Sequence, residues 1–211
     1  MDTLITFDSV VAGYGRPVVG PVSFTVGRGE IVGIGGANGA GKSTLLKALT
    51  GGARIMAGEV RKMPGLAISH QHQGFDLGDE SPLTGAELLA LTGASPAGLP
   101  DWLAGRLNQR IDRLSGGQLQ FLRLWACLTA PADLVVLDEP TNNLDRAGVA
   151  HLEEALGRRD PARALIIVSH DARFEKAVCD RVVVVEEKGE EGREKGGDSP
   201  QPPFKKNEPV G

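Results

Sequence analysis

The sequence lacks any long hydrophobic run, and no apolar stretch approaches the roughly 20 residues that a membrane-spanning helix needs. Its first ten residues, MDTLITFDSV, lack the basic start and long apolar core of a secretory signal peptide. It has only two cysteines, Cys127 and Cys179, and their spacing matches no metal-binding or redox motif. We therefore expect a cytosolic protein with reduced, buried cysteines, in which any membrane role depends on a partner.

The sequence also lacks an excess of basic residues. Lys and Arg number 23 against 27 Asp and Glu, so the net charge is −4 at pH 7. Because nucleic-acid-binding surfaces are usually basic, we expect no direct nucleic-acid partner. Hydrophobic residues make up 41% and charged residues 24% of the chain, which is ordinary for a globular protein. The 211 residues suffice for one domain with an inserted subdomain.

A glycine-rich loop lies between an apolar run of strand length, EIVGIG (30–35), and a helical pattern, STLLKALTG (43–51). The loop matches the pattern G-x-x-x-x-G-K-[ST], whose glycines let backbone N–H groups approach phosphates at a helix N-terminus. Its lysine reaches the terminal phosphates and its serine is placed to bind Mg²⁺. The sequence therefore predicts a nucleoside triphosphate site, with the candidate binding residues Gly36, Asn38, Gly39, Ala40, Gly41, Lys42, Ser43 and Thr44.

Two adjacent carboxylates end the apolar run DLVVLDEP (133–140). Continuous apolar runs of this kind are typical of buried strands in parallel sheets, which place their ligand chemistry at the carboxyl ends of the strands. Asp138 is the candidate Mg²⁺ group alongside Ser43, either as a direct ligand or by holding a ligand of the ion in place. Glu139 is the candidate catalytic group, which would orient and deprotonate a water for attack on the terminal phosphate.

The segment LSGGQ (114–118) offers a second anion site, because a hydroxyl and two glycines precede a helical pattern. Together with the phosphate loop and the carboxylate pair, it makes residues 3–186 resemble the nucleotide-binding subunit of ATP-binding cassette (ABC) proteins. The resemblance implies a head-to-tail dimer, in which each ATP lies between Lys42 of one chain and LSGGQ of the other. The implied binding residues in LSGGQ are Ser115, Gly116, Gly117 and Gln118.

The same resemblance assigns further residues. Tyr14 in AGYGRP matches the aromatic residue that stacks on adenine, and Asp145 in TNNLD matches the residue that crosses between subunits. His170 in VSHD matches the catalytic histidine that contacts the terminal phosphate and holds Glu139 with the attacking water. In ISHQHQ (68–73), the overlay favours Gln73 as the glutamine that binds Mg²⁺, with Gln71 as the alternative.

The expected fold is α/β, with a P-loop NTPase core around a mainly parallel sheet and an antiparallel β subdomain at the N-terminus. Residues 1–187 form the predicted nucleotide-binding domain, with a small helical insertion at about 74–128. In that insertion Ser81 or Thr84 is the expected N-cap of one helix, and DWLAGRLNQRIDRL (101–114) predicts a second. Residues 188–211 are charged and rich in Gly and Pro, which predicts a disordered tail.

Two further features of the sequence bear on these assignments. His70 and His72 would face the same side of a strand, so they offer half a metal site or, alternatively, a polar lining beside the glutamine. The helix after LSGGQ reads LQFLRLWACL, and Phe121 and Ala126 stand where the family commonly has arginine. We interpret this difference as altered helix packing with the phosphate-facing residues intact.

The resemblance implies an ATPase that uses ATP and Mg²⁺ and powers a membrane transporter of the importer type. Its expected partners are a second cassette, as a homodimer or alternatively a heterodimer, and integral-membrane permease subunits that hold it at the inner face of the cell membrane. One alternative is an ABC protein that acts on ribosomes, because TNNLD followed by VSHDARF is similar to the translation-factor branch. Another is a regulatory module that does not hydrolyse ATP.

Overall fold

A computed structural model describes residues 2–71 and 82–186. The strands are β1 (Thr3–Gly13), β2 (Pro17–Gly27), β3 (Ile31–Gly35), β4 (Arg54–Lys62), β5 (Ile68–Gln71), β6 (Leu134–Asp138), β7 (Ala164–Val168) and β8 (Arg181–Val184). The helices are α1 (Lys42–Thr50), α2 (Gly85–Thr92), α3 (Asp101–Ala104), α4 (Gly116–Thr129), α5 (Arg146–Gly157) and α6 (Ala172–Val178), with a 3₁₀ turn at Ile111–Arg113.

The first sheet is antiparallel, with the strand order β2-β1-β4. Buried and exposed residues alternate most clearly over residues 21–26 of β2, because one face of the sheet covers the core and the other meets solvent. On the buried face the rings of Phe7 and Phe24, which are register partners, stack with their centroids 4.3 Å apart. This sheet confirms the expected antiparallel β subdomain.

The second sheet is parallel throughout its described strands, in the order β5-β6-β7-β3-β8. Every residue of β3, β6 and β7 is buried because these central strands are covered on both faces. One face packs against α1 and the antiparallel sheet, and the other packs against α2, α4, α5 and α6. The loops that follow β3, β6 and β7 therefore meet at one edge, where such sheets bind ligands.

The helical region begins with a capping box. Thr84 Oγ1 accepts a hydrogen bond from Glu87 N, and Glu87 Oε2 accepts one from Thr84 N at 2.7 Å. The hydrogen bond from the Thr84 backbone lowers the pKa of Glu87. Thr84 is thus the N-cap of α2, and the alternative, Ser81, lies outside the described residues.

The prediction of a second helix in this region, over 101–114, is wrong for most of that range. The helix ends at Ala104 and only a 3₁₀ turn follows, at Ile111–Arg113. The chain instead runs back beside the start of α2, where Ile111 N donates to Leu83 O and Arg110 forms a bridge with Thr84. This tertiary pairing outweighs the helical propensity of the segment.

An aromatic cluster joins the helical region to the core of the protein. Phe121 in α4 is fully buried, and its ring centroid lies 5.2 Å from that of Trp102, 6.0 Å from that of Trp125 and 5.8 Å from that of His151 in α5. Ala126 is also buried. The two positions at which this helix departs from the family pattern are therefore packing positions.

Several expectations concern residues outside the described part of the chain: Gln73, His72 and the tail at 188–211. The proposed boundaries of the domain and of its helical insertion stay predictions. Within residues 2–71 and 82–186, no helix has the length and apolar character to cross a bilayer. Cys127 is buried, and burial raises the pKa of its thiol to about 11.

We predict that Phe121→Ala lowers the free energy of unfolding by about 3 to 5 kcal/mol, because it leaves a cavity where three aromatic rings meet. Leu91→Ala is the matched control, because Leu91 is 71% exposed and should change stability by no more than about 0.5 kcal/mol. Urea denaturation followed by circular dichroism measures both. Equal effects of the two substitutions would contradict the packing role of Phe121.

Candidate nucleotide-binding site

The phosphate loop connects β3 to α1, and its shape requires glycine at two positions. Gly36 has φ 138°, and a Cβ there would lie 2.3 Å from the carbonyl oxygen of Val185. Gly41 has φ 90°, and a Cβ there would lie 2.7 Å from the Val19 side chain. Any larger residue would therefore clash at both ends of the loop, and its backbone could not keep this conformation.

Lys42 is the first residue of α1 and is buried. Its Nζ donates to the carbonyl oxygens of Gly36 at 2.8 Å and Ala37 at 3.0 Å, so the ammonium group lies inside the curve of the loop. An ammonium group has three donors, and these two hydrogen bonds leave one donor for an anion. The loop, the lysine and the N-terminus of α1 together form an anion site of the kind that the sequence predicts.

Ser43 and Asp138 meet at the carboxyl edge of the parallel sheet. Ser43 Oγ donates to Asp138 Oδ1 at 3.4 Å, although 95 residues separate the two positions in the chain. Asp138 ends β6 and is buried. The structure therefore places the two described candidate Mg²⁺ ligands side by side.

Glu139 and His170 form the second pair at this edge. His170 Nδ1 lies 2.6 Å from Glu139 Oε2, and the His170 backbone N–H donates to the same oxygen at 3.2 Å. A carboxylate can only accept, so Nδ1 carries the hydrogen at this contact and Nε2 is left to face a ligand. Glu139 has φ 51°, a strained conformation of the kind found at functional sites, and its N–H donates to Val168 O.

LSGGQ lies at the start of α4, where Ser115 and Gln118 form a capping box. This segment packs closely beside the TNNLD loop. A Cβ on Gly117 would lie only 3.0 Å from Asn143 O. In that loop Asp145 caps α5, and its Oδ1 accepts from Gly148 N at 2.8 Å. Ser115 and Asp145 line one cavity, and among the described residues the phosphate loop contributes nothing to its lining.

Tyr14 is 53% exposed beside α1, and Lys47 Nζ lies 5.9 Å from the centroid of its ring. An exposed ring next to the phosphate-loop helix is compatible with stacking on a base. Gln71, the alternative glutamine, ends β5 and is buried, whereas Gln73 lies outside the described residues. The choice between the two glutamines therefore stays open.

Glu175 in α6 lies near the phosphate loop, although the sequence pattern does not predict a role for it. Its Oε2 would lie 3.9 Å from a Cβ placed on Gly35 at the end of β3. Burial, and then the charges of Glu139 and Asp171, raise its pKa, while the charge of Lys42 lowers it. The only signal in the sequence is an acidic residue five positions after His170.

The fold and the phosphate loop define a nucleotide-binding protein with a P-loop. A family model described as "ABC transporter" matches residues 19–142. The zinc import ATP-binding protein ZnuC of Marinobacter nauticus is 36% identical over 190 residues, which cover 86% of this chain and 74% of the relative. ZnuC of Cereibacter sphaeroides is 38% identical over 196 residues, which cover 86% of this chain and 78% of the relative.

A solved structure described as an ATP-binding subunit of an ABC transporter superposes with a TM-score of 0.73 and 25% identity, and the match covers 88% of each chain. The chain therefore belongs to the ABC transporter family. The predictions of the fold and of an ATP-hydrolysing subunit of an importer-type transporter are confirmed, and the ribosome-associated alternative is not favoured.

We predict that His170→Ala lowers kcat for ATP hydrolysis by about 10²-fold and changes ADP affinity much less, because the imidazole contacts Glu139 and not the phosphate loop. A malachite-green phosphate assay measures kcat, and titration with a fluorescent ADP analogue measures affinity. Because paired catalytic groups act as a unit, Glu139→Gln combined with His170→Ala should lose no more activity than the more severe single substitution. A fully multiplicative loss would contradict this pairing.

Proposed function

We propose that this chain hydrolyses ATP, as one of two cassettes, to drive the uptake of zinc through a membrane permease. The observation that carries the catalytic part is the Glu139–His170 pair, 2.6 Å apart at the same sheet edge as the phosphate loop. Zinc enters the proposal from the names of the relatives, which are zinc import proteins. The selectivity for zinc would lie in the permease and not in this subunit.

Oxygen donors of this chain suit Mg²⁺. Ser43 Oγ and Asp138 Oδ1 are hard oxygen atoms 3.4 Å apart, and Mg²⁺ is usually held by one or two such protein groups together with phosphates and water. The described residues contain no group of three or more His, Cys, Asp or Glu that could hold a metal by themselves. Bound there, Mg²⁺ would neutralise charge on the terminal phosphates.

The catalytic step is phosphoryl transfer to water. Backbone N–H groups of the loop and Lys42 would hold the β- and γ-phosphates. A water oxygen attacks the γ-phosphorus, the bond to the β–γ bridging oxygen breaks, and Glu139 accepts the proton of the water. His170 would hold Glu139 in position through Nδ1 and contact the γ-phosphate through Nε2.

The separation of the two anion sites supports a dimer. LSGGQ and Asp145 lie together on one face, and no hydrogen bond joins Ser115 to the phosphate loop within the described residues. A second cassette placed head to tail would bring its LSGGQ to the γ-phosphate held by Lys42. ATP would then hold the dimer closed, and loss of the γ-phosphate would open it, because the γ-phosphate contacts favour the closed state.

Opening and closing of the cassette dimer would drive a conformational change in the permease. We place the chain at the cytoplasmic face of the membrane, held there by the permease, because ATP is supplied from that side. We propose a homodimer, since the same chain offers both the phosphate loop and LSGGQ. These assignments follow from the transporter role and from the two separate faces of the site.

We predict that Glu139→Gln forms a stable dimer in ATP and hydrolyses ATP at least about 10²-fold more slowly than the unmodified chain, because it binds the nucleotide but cannot accept the proton. Size-exclusion chromatography with light scattering measures the mass with ATP and with ADP. Glu154→Gln, at an exposed position in α5, is the control and should behave like the unmodified chain. Normal turnover in Glu139→Gln would remove this residue from its role.

The test of the transport role is a pull-down with tagged Glu139→Gln, in ATP, from detergent-solubilised membranes of the source cells. The expected result is a polytopic permease, identified by mass spectrometry, that dissociates in ADP. Reconstituting both proteins in liposomes should then give ATP-dependent uptake of ⁶⁵Zn. Ribosomal proteins without a permease would overturn the transport role, and uptake of a different cargo would overturn the assignment of zinc alone.

A further inference from the structure

Glu175 is a partly buried carboxyl group that the hydrolysis mechanism does not use. Its Oε1 is buried and has no hydrogen-bond partner among the residues that the structure describes. A carboxylate without such a partner in a site closed to water is costly unless it has a function or a nearby opposite charge. The group therefore requires an explanation beyond packing.

The location of Glu175 is set by the glycines of β3. A Cβ on Gly35 would lie 2.9 Å from the Val182 side chain and 3.9 Å from Glu175 Oε2. A Cβ on Gly33 would lie 3.0 Å from Cys179 Sγ. Because these positions carry no side chain, α6 packs close to the strand, and the Glu175 carboxyl comes to the last strand residue before the phosphate loop.

The groups that act on this carboxyl come from several elements. They are Lys42 at the start of α1, Glu139 after β6 and Asp171 before α6. Lys42 is the one cation among them, and it is also the group that would bind the terminal phosphates. Lys42 Nζ donates to the carbonyl oxygen of Gly36 at 2.8 Å, and Gly36 directly follows Gly35, the residue that Glu175 Oε2 approaches. The ionised carboxyl therefore attracts the same ammonium that the nucleotide needs, and it repels the phosphates.

We propose that Glu175 is a positioning residue that acts through Lys42, competing electrostatically with the nucleotide phosphates and so setting the affinity of the site. The ionised form holds the ammonium group towards the protein and weakens nucleotide binding. The protonated form releases the ammonium group to the phosphates. Nucleotide affinity thus depends on the charge of a residue that does not touch the nucleotide.

The pH dependence has a defined sign. Burial raises the pKa of Glu175, so the carboxyl begins to take up protons at a higher pH than an exposed glutamate does. Because bound phosphate adds negative charge, nucleotide binding favours the protonated form and raises this pKa further. Relative to an uncharged variant, the unmodified protein should therefore bind nucleotide more weakly as the pH rises through this pKa.

The test is isothermal titration calorimetry with ADP on the full chain at pH 8 and pH 5, for the unmodified protein, Glu175→Gln and Glu175→Met. ADP avoids turnover, and comparing variants at each pH cancels the titration of ADP itself. At pH 8 both uncharged variants should bind ADP about threefold to tenfold more tightly than the unmodified protein. At pH 5 the ratio of the variants' ADP affinity to that of the unmodified protein should fall towards one. Circular dichroism confirms that each variant is folded.

Glu154→Gln is the matched control, because it removes one negative charge from an exposed position in α5. It should leave the affinity for ADP unchanged at both pH values. Three outcomes would overturn the proposal. The Glu175 variants could bind ADP no more tightly than the unmodified protein at pH 8, or their advantage in affinity could be the same at both pH values. Glu154→Gln could also bind ADP as tightly as the Glu175 variants do. The inference rests on nucleotide binding at this loop; an unmodified protein that fails to bind ADP would overturn the nucleotide site itself.

Discussion

The pairing of parallel strands in the central sheet is the constraint on which the nucleotide site depends. β3, β6 and β7 run in the same direction in adjacent positions, so the segments that follow them emerge at one edge. This register brings Ser43 to Asp138 across 95 residues and Glu139 to His170 across 31. Close packing opposes a shift of this register, since a shift of one residue would exchange the side chains between two faces that pack against different elements.

Close packing at the end of β3 ties the phosphate loop to its surroundings. Gly33 and Gly35 let Cys179, Val182 and Glu175 approach the strand, and Gly36 lets the backbone pass Val185. Because Gly35 has no side chain, the carboxyl group of Glu175 can approach the end of β3, next to the phosphate loop. The end of β3 therefore contacts α6 on one side and continues into the phosphate loop on the other.

The packing of the helical region positions LSGGQ beside the TNNLD loop. The aromatic cluster around Phe121 fixes α4 against α5, so LSGGQ and the TNNLD loop stay together on one face. Among the described residues, the cavity on that face is lined by no residue of the phosphate loop. The proposed head-to-tail dimer would bring this face to the phosphate loop of a second cassette.

The sequence by itself determined the local chemistry of this protein: the phosphate loop, the carboxylate pair and the buried strands. Each depends on residues close together in the chain, whose spacing and backbone preferences follow directly from the amino-acid sequence. The resemblance implied that His170 holds Glu139, and the structure gave the contact its atoms and its distance. Only the tertiary structure decided the end of α3 at Ala104 and the location of Glu175 beside Gly35. These depend on packing between distant segments, which outweighs local propensity and which no short stretch of sequence encodes.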